Sequence, residues 1–125
     1  MVKETTSRVL IAEDDETSAM LMKIEVNPLI KEVYVAKSGK EAIDICRNNP
    51  DIDLVLMDIQ MPEMNRYKAT QQIRQFNKEI VIIAQTAYGL SGDREKALKA
   101  GCNDYISKPI KRKELLALIH KYFKG

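Results

Sequence analysis

The apolar run in LVLMDIQMPEM, residues 54–64, finishes on a lone acid, Asp58, and then breaks at Met61-Pro62. Two more acids, Asp14 and Asp15, follow the apolar run RVLIA at 8–12, and Thr86 and Lys108 follow two later apolar runs. A carboxylate can attack phosphorus and form an acyl phosphate. An ammonium group and a divalent cation then neutralise the phosphoryl oxygens, and a hydroxyl such as that of Thr86 donates to one of them. Asp14, Asp15 and Asp58 repel one another when crowded, so a raised pKa, a lysine or a metal must compensate. With oxygen ligands and neither histidine nor thiol in this pattern, the metal expected is Mg²⁺, with Mn²⁺ able to substitute. Asp58, the single acid among apolar residues, reads as the nucleophile. The Asp14–Asp15 pair reads as the metal-holding side.

These groups act together only if the chain brings their runs side by side. Residues 8–12 (RVLIA), 32–36 (EVYVA), 53–57 (DLVLM), 80–84 (IVIIA) and 104–106 (DYI) have the apolar, β-branched character of strands. The third and fourth are apolar on both faces, as in the middle of a parallel sheet covered on both sides. Helical patterns alternate with them. The first begins at Asp15 as N-cap, carries Met20, Leu21 and Ile24 on one face, and stops at Asn27-Pro28. Ser38 and Glu41 form a capping box ahead of GKEAIDICRN. Residues 65–76 set Ala69, Ile73 and Phe76 on one face. Residues 91–100 start at Ser91 and end with Gly101 at the C′ position. The last helix, Lys111 to Tyr122, turns Leu115, Leu118, Ile119 and Tyr122 inward. Five βα units predict an open, doubly wound α/β fold with right-handed crossovers. Ligands of such sheets bind beyond the carboxyl ends of the strands, where Asp14, Asp15, Asp58, Thr86 and Lys108 fall.

Composition narrows the function classes. The 125 residues, 45% apolar and 30% charged, fit one soluble domain with one core. A net charge of +2 gives no argument for nucleic-acid binding. Cys46 and Cys102 lack the spacing of a disulfide framework or metal knuckle and read as reduced thiols. The single histidine, His120, reads as a solvated residue of the last helix. No stretch is long and apolar enough to span a membrane, and MVKETTSR lacks a signal-peptide core. The expected location is the cytoplasm, either free or as the cytoplasmic portion of a membrane-anchored sensor, with residues 1–7 a frayed tail and 8–124 the domain.

At VLIAEDDE, LVLMDIQMPEM, Thr86-Ala87 and DYISKPI (104–110) the chain resembles the receiver domains of two-component response regulators, over residues 7–123. Its wording is closest to receivers fused to hybrid sensor histidine kinases. The resemblance implies a receiver topology related to the flavodoxin fold, with strand order 2-1-3-4-5. It implies that Asp58 takes a phosphoryl group from a phosphohistidine. It also implies that Asp14, Asp15, Asp58 and the backbone carbonyl of Gln60 hold Mg²⁺. Thr86 is then the switch hydroxyl, Lys108 bonds the phosphoryl group, Pro109 follows a cis peptide bond, and Tyr105 changes rotamer with Thr86. The implied partners are a histidine kinase or histidine phosphotransfer domain, and a second copy on the face of the fourth helix, fifth strand and fifth helix. Neither nucleic acid nor membrane is expected to bind this domain directly.

A physical reason for switching goes with this. Phosphorylation adds about −1.5 to −2 charge to an acidic rim. Thr86 is drawn in, Tyr105 fills the space it leaves, and the surface over residues 87–107 shifts between two populations. A flavodoxin-like cofactor site is disfavoured by EDDE where a phosphate loop would stand, and no GxGxxG is present. An acyl-phosphate hydrolase would need a second, cap-like region. A receiver-like domain that only binds partners is the alternative; it would normally lack one of Asp58, the acid pair or Lys108. Whether the parent chain is an enzyme, a histidine kinase, is not written in these residues. Where the family has glycine after the Met-Pro-x-Met run, this chain has Asn65-Arg66. Glycine allows unusual dihedrals at such a corner; the expectation is that Arg66 is tolerated there, and the sharper alternative is an altered lifetime of the aspartyl phosphate, which Arg66→Gly tests. Unchanged phosphorylation and dephosphorylation rates in that variant would remove Arg66 from the site.

Overall fold

The computed structural model describes residues 8–26, 32–59, 67–86, 91–107 and 110–123. Five strands alternate with five helices: β1 Arg8–Ala12, α1 Glu16–Val26, β2 Glu32–Ala36, α2 Gly39–Asn48, β3 Leu54–Asp58, α3 Lys68–Phe76, β4 Val81–Thr86, α4 Ser91–Ala100, β5 Asp104–Ser107 and α5 Arg112–Tyr122. The strands form one parallel sheet in the order β2-β1-β3-β4-β5, as expected. The expected tail at residues 1–7 and the helix stop at Asn27-Pro28 lie outside the described residues.

The pleat divides the core in two, because successive strand residues point to opposite faces. Leu10, Ala12, Val55, Met57, Ile82 and Ala84 pack with Ala42, Ile43 and Cys46 of α2, Ala69 and Ile73 of α3, and Ala97 of α4. Val9, Ile11, Leu54, Leu56, Val81 and Ile83 pack with Met22 and Val26 of α1 and Leu115 and Ile119 of α5. β3 is buried on both faces along its whole length, which is why its sequence shows no alternation.

Helix limits follow local chemistry. The Ser38 hydroxyl accepts from the Glu41 N–H at 3.1 Å, capping α2, and the Glu41 carboxylate reaches back one residue past the cap to accept from the Lys37 N–H at 3.0 Å. Asp15 caps α1 through Oδ2, which accepts from the Ser18 N–H at 2.8 Å. Gly101 adopts φ +117° after α4. The Gly101 N–H donates to Leu98 and the Cys102 N–H to Ala97, which satisfies the last carbonyls of the helix.

Two expected helix faces are corrected. Met20, Leu21 and Ile24 are not the inner face of α1. They are 61%, 58% and 55% exposed, and Ala19, Met22 and Val26 are buried instead. The helix carries two interleaved apolar stripes, and periodicity does not say which one meets the sheet. Phe76 is likewise 39% exposed, with the Arg47 guanidinium 5.0 Å from its ring centroid, while Thr70 is buried beside Ala69 and Ile73.

At the amino end of β4, Arg74 fastens three elements together. Its Nε donates to the Gly101 carbonyl at 2.8 Å, and one terminal nitrogen donates to the Ile80 and Asn77 carbonyls at 2.6 and 3.3 Å. The other donates to Asn103 Oδ1 at 2.7 Å, which also accepts from the Ile82 N–H at 2.8 Å. Burial lowers the pKa of this guanidinium, and the convergent acceptors offset its desolvation. On the opposite edge of the same turn, the Tyr122 hydroxyl donates to the Asn103 carbonyl at 2.8 Å. Burial opposes ionisation of Asp104, but bonds from the Tyr105 N–H, Lys121 and Tyr122 outweigh it and lower its pKa. A Cβ at Gly101 would lie 2.9 Å from Arg74 Cγ on an already left-handed backbone. Arg74→Ala leaves three part-buried carbonyls without this donor and is expected to cost about 2–4 kcal/mol in urea unfolding. Gly101→Ala, through strain alone, is expected to cost about 1–3 kcal/mol.

Candidate functional site

The register that builds the core also assembles the acids. β1 and β3 pair with Ile11 beside Leu56 and Ala12 beside Met57. Continued by one residue, that register sets Glu13 beside Asp58. Both belong to the parity of the α1–α5 face, so their carboxylates converge above Ile11 and Leu56. Carboxylate oxygens of Glu13, Asp14 and Asp58 lie within 4.8 Å of one another. Glu13 and Asp58 are 2% and 4% exposed, whereas Asp14 faces solvent. The Glu13 N–H is fixed to the Ala36 carbonyl at 2.8 Å, and the Ile59 N–H to the Gln85 carbonyl at 3.2 Å. The acids therefore stand on bonded backbone.

Of the expected acid set, Asp14 and Asp58 come together as anticipated. Asp15 is directed to α1, where it serves as N-cap, and its N–H donates to Glu13 Oε2 at 3.3 Å. Glu13 takes the place beside Asp14 that the sequence reading gave to Asp15. The missed signal was strand parity: 9, 11 and 13 share a face with 54, 56 and 58. Thr86 ends β4 opposite Ser107 of β5. Tyr105 is half-buried against the α2–α3–α4 core, and its N–H donates to its neighbour Asp104 Oδ1 at 2.9 Å. Gln60, Arg66, Lys108 and Pro109, and the Thr86 side chain, lie outside the described residues.

Gln85, beside Asp58 in the β3–β4 register, is a buried amide the sequence reading passed over. Its Nε2 donates to the Leu56 carbonyl at 3.2 Å, and its Oε1 has no hydrogen-bond partner among the described residues. The two thiols are not competing nucleophiles. Burial pushes Cys46 up to about 12 and Cys102 up to about 11, so both are neutral thiols at physiological pH. Three crowded carboxylates, one of them open to solvent, fit a hard divalent cation that keeps part of its water shell.

A doubly wound parallel sheet with an acid cluster at its carboxyl edge is the architecture of a phosphorelay receiver. The chain belongs to the response regulator receiver domain family, whose pattern matches residues 9–120. It is 39% identical over 123 residues to hybrid signal transduction histidine kinase G of Dictyostelium discoideum, covering 92% of this chain and 4% of that protein. The chain spans between 4% and 13% of the length of this and other histidine kinases to which it is similar. Among solved structures it is similar to the receiver domain of sensor histidine kinase PA1611 from Pseudomonas aeruginosa PAO1, which has a magnesium ion coordinated in its active-site cleft. That likeness is 31% identity with a TM-score of 0.83, over 96% of this chain and 99% of that one. It is also similar to the receiver domain of Saccharomyces cerevisiae Ssk1, solved with the histidine phosphotransfer protein Ypd1, at 29% identity and a TM-score of 0.86, over 96% and 90% of the two chains. No described helix is long and apolar enough to cross a membrane.

Substitution separates the roles of the neighbouring acids. Glu13→Gln removes a charge from the cluster and is expected to weaken Mg²⁺ binding about tenfold. Asp15→Asn keeps a good N-cap and is expected to weaken it less. Amide shifts followed during a Mg²⁺ titration measure both, and a larger loss in Asp15→Asn would return Asp15 to the ligand set.

Proposed function

We propose that this chain is the phosphoacceptor of a two-component phosphorelay, with Asp58 as the nucleophile. The single observation that carries the reading is the burial of Asp58 at the carboxyl end of the central strand, with its carboxylate inside an acid cluster. A buried carboxylate with fixed backbone on both sides is oriented toward one approach line. An Asp58 oxygen attacks phosphorus of a phosphohistidine, the P–N bond breaks, and the imidazole leaves with the electron pair and takes up a proton. Asp14 and Asp58, with Glu13 or Asp15, would hold Mg²⁺ together with the carbonyl of Gln60. That ion, when bound, neutralises phosphoryl oxygens. Lys108 and Thr86 take the remaining oxygens in this reading, and Tyr105 follows Thr86 in the switch.

The donor is a histidine kinase or a histidine phosphotransfer domain. Met20, Leu21 and Ile24 support a docking site for it. They leave large apolar side chains in solvent on the helix that begins directly after the acid cluster, and contiguous exposed apolar residues mark interaction surfaces. Arg112 steadies that helix from α5, donating to Glu25 Oε2 at 3.1 Å and to the Ile24 carbonyl at 3.4 Å.

Intact-mass measurement tests the chemistry and the docking in turn. With acetyl phosphate and Mg²⁺, the chain is expected to gain one phosphoryl group, and the gain is expected to vanish in Asp58→Asn or without Mg²⁺. With a phosphorylated histidine phosphotransfer protein as donor, Leu21→Lys is expected to slow transfer about tenfold or more while leaving the acetyl phosphate reaction unchanged. Failure of the wild-type chain with both donors would favour a receiver-like domain that binds partners without phosphorylation.

A further inference from the structure

Gln85 is a fully buried amide on β4 with one hydrogen-bonding atom unmet. Register fixes its place: it pairs with Asp58 of β3 on one side and with Ile106 of β5 on the other. Residues 81, 83 and 85 share a parity, and Val81 and Ile83 pack on the α1–α5 face, so Gln85 lies on the same face as Asp58. Its Nε2 donates to the Leu56 carbonyl at 3.2 Å, which brings the amide over β3, two residues before Asp58. A carbonyl only accepts, so this bond fixes which end of the amide is nitrogen. The other end, Oε1, has no partner among the described residues. An amide oxygen buried without a donor opposes folding, and a methionine or leucine at this position would carry no such penalty.

We propose that Gln85 is a positioning residue of the cation site: its Oε1 accepts a hydrogen bond from a water of the divalent cation that Glu13, Asp14 and Asp58 would hold. This rests on the cation reading of the acid cluster given above. Donors are what this corner of the sheet lacks. Glu13, Asp58 and Gln85 form a row across β1, β3 and β4, all three buried. The two carboxylates, when ionised, only accept. On its other sides Gln85 has the apolar Ile83 and Ile106.

A water supplies two protons and a lone pair. One proton to Oε1, one to a carboxylate and the lone pair on a cation use all of its bonding, as a buried water requires. Coordination to a divalent cation also makes that water a stronger donor. A neutral acceptor suits the position, since a fourth carboxylate would add to the repulsion among the three. The Nε2 bond to Leu56 holds the amide in one orientation, which is how a group outside the first ligands orients a metal site without touching the metal.

The test is Gln85→Met, which keeps the length of the side chain and removes the acceptor, with Gln85→Leu as a second variant should the first fail to fold. Metal-free urea unfolding and Mg²⁺ affinity, read from the saturation of amide shifts at residues 13–15 and 58, are measured on each. Without Mg²⁺ the variant is expected to unfold at the wild-type urea midpoint or above it, because the unmet oxygen is gone. Its Mg²⁺ affinity is expected to fall about tenfold. In the wild type, the Gln85 side-chain amide signals are expected to shift along the same saturation curve as the backbone amides. An amide with only a structural role would lower metal-free stability and affinity together, and that result would overturn the proposal. Gln85 side-chain signals that ignore Mg²⁺ would overturn it too. Wild-type binding with unchanged affinity in the variants would overturn this inference alone, whereas a wild-type chain that takes no Mg²⁺ would remove the cation reading of the acid cluster along with it.

Discussion

Mutual repulsion among the carboxylates of Glu13, Asp14 and Asp58 is the constraint around which this domain is arranged. Two of them are buried, with oxygens of all three inside 4.8 Å. Such a cluster persists only if stronger forces hold its backbone, since burial and like charge both disfavour it. Those forces are the parallel ladders of β1, β3 and β4 and the two apolar layers that bury β3 completely. The acids stand where they do because the sheet leaves them no alternative. Three carboxylates gathered at the edge of a rigid sheet are a setting that suits a divalent cation.

The opposite end of the molecule is built on the reverse principle. Arg74 brings one positive charge among neutral oxygens from α3, β4 and the α4–β5 turn, and Tyr122 and Lys121 close the same turn from α5. This end ties the helices together, while the carboxyl end gathers the acid cluster and a buried Gln85 Oε1 with no hydrogen-bond partner among the described residues. The hydrogen-bonded tie and the acid cluster thus lie at opposite ends of the strands.

Surface features divide by face in a corresponding way. The α1–α5 side offers apolar Met20, Leu21 and Ile24 beside the acids. The α3–α4 side offers lysines around a small cleft.

Much of this was legible from the chain alone. Apolar periodicity located all five strands and helices, with caps marking some of the helix ends, because burial and hydrogen-bond satisfaction at element ends are local demands. Ser38, Asp15 and Gly101 were recognisable for that reason. Asp58 stood out because an apolar strand has little cause to end on an acid. Tertiary structure decided what depends on direction. It chose Ala19, Met22 and Val26 over Met20, Leu21 and Ile24 as the inner face of α1, since both stripes have helical spacing and only the docked sheet distinguishes them. It set Glu13 beside Asp14 and Asp58 and gave Asp15 to the helix, because pleat parity and inter-strand register are properties of paired strands. The sequence determined which residues were available for chemistry; the register of β1 against β3 determined which of them meet.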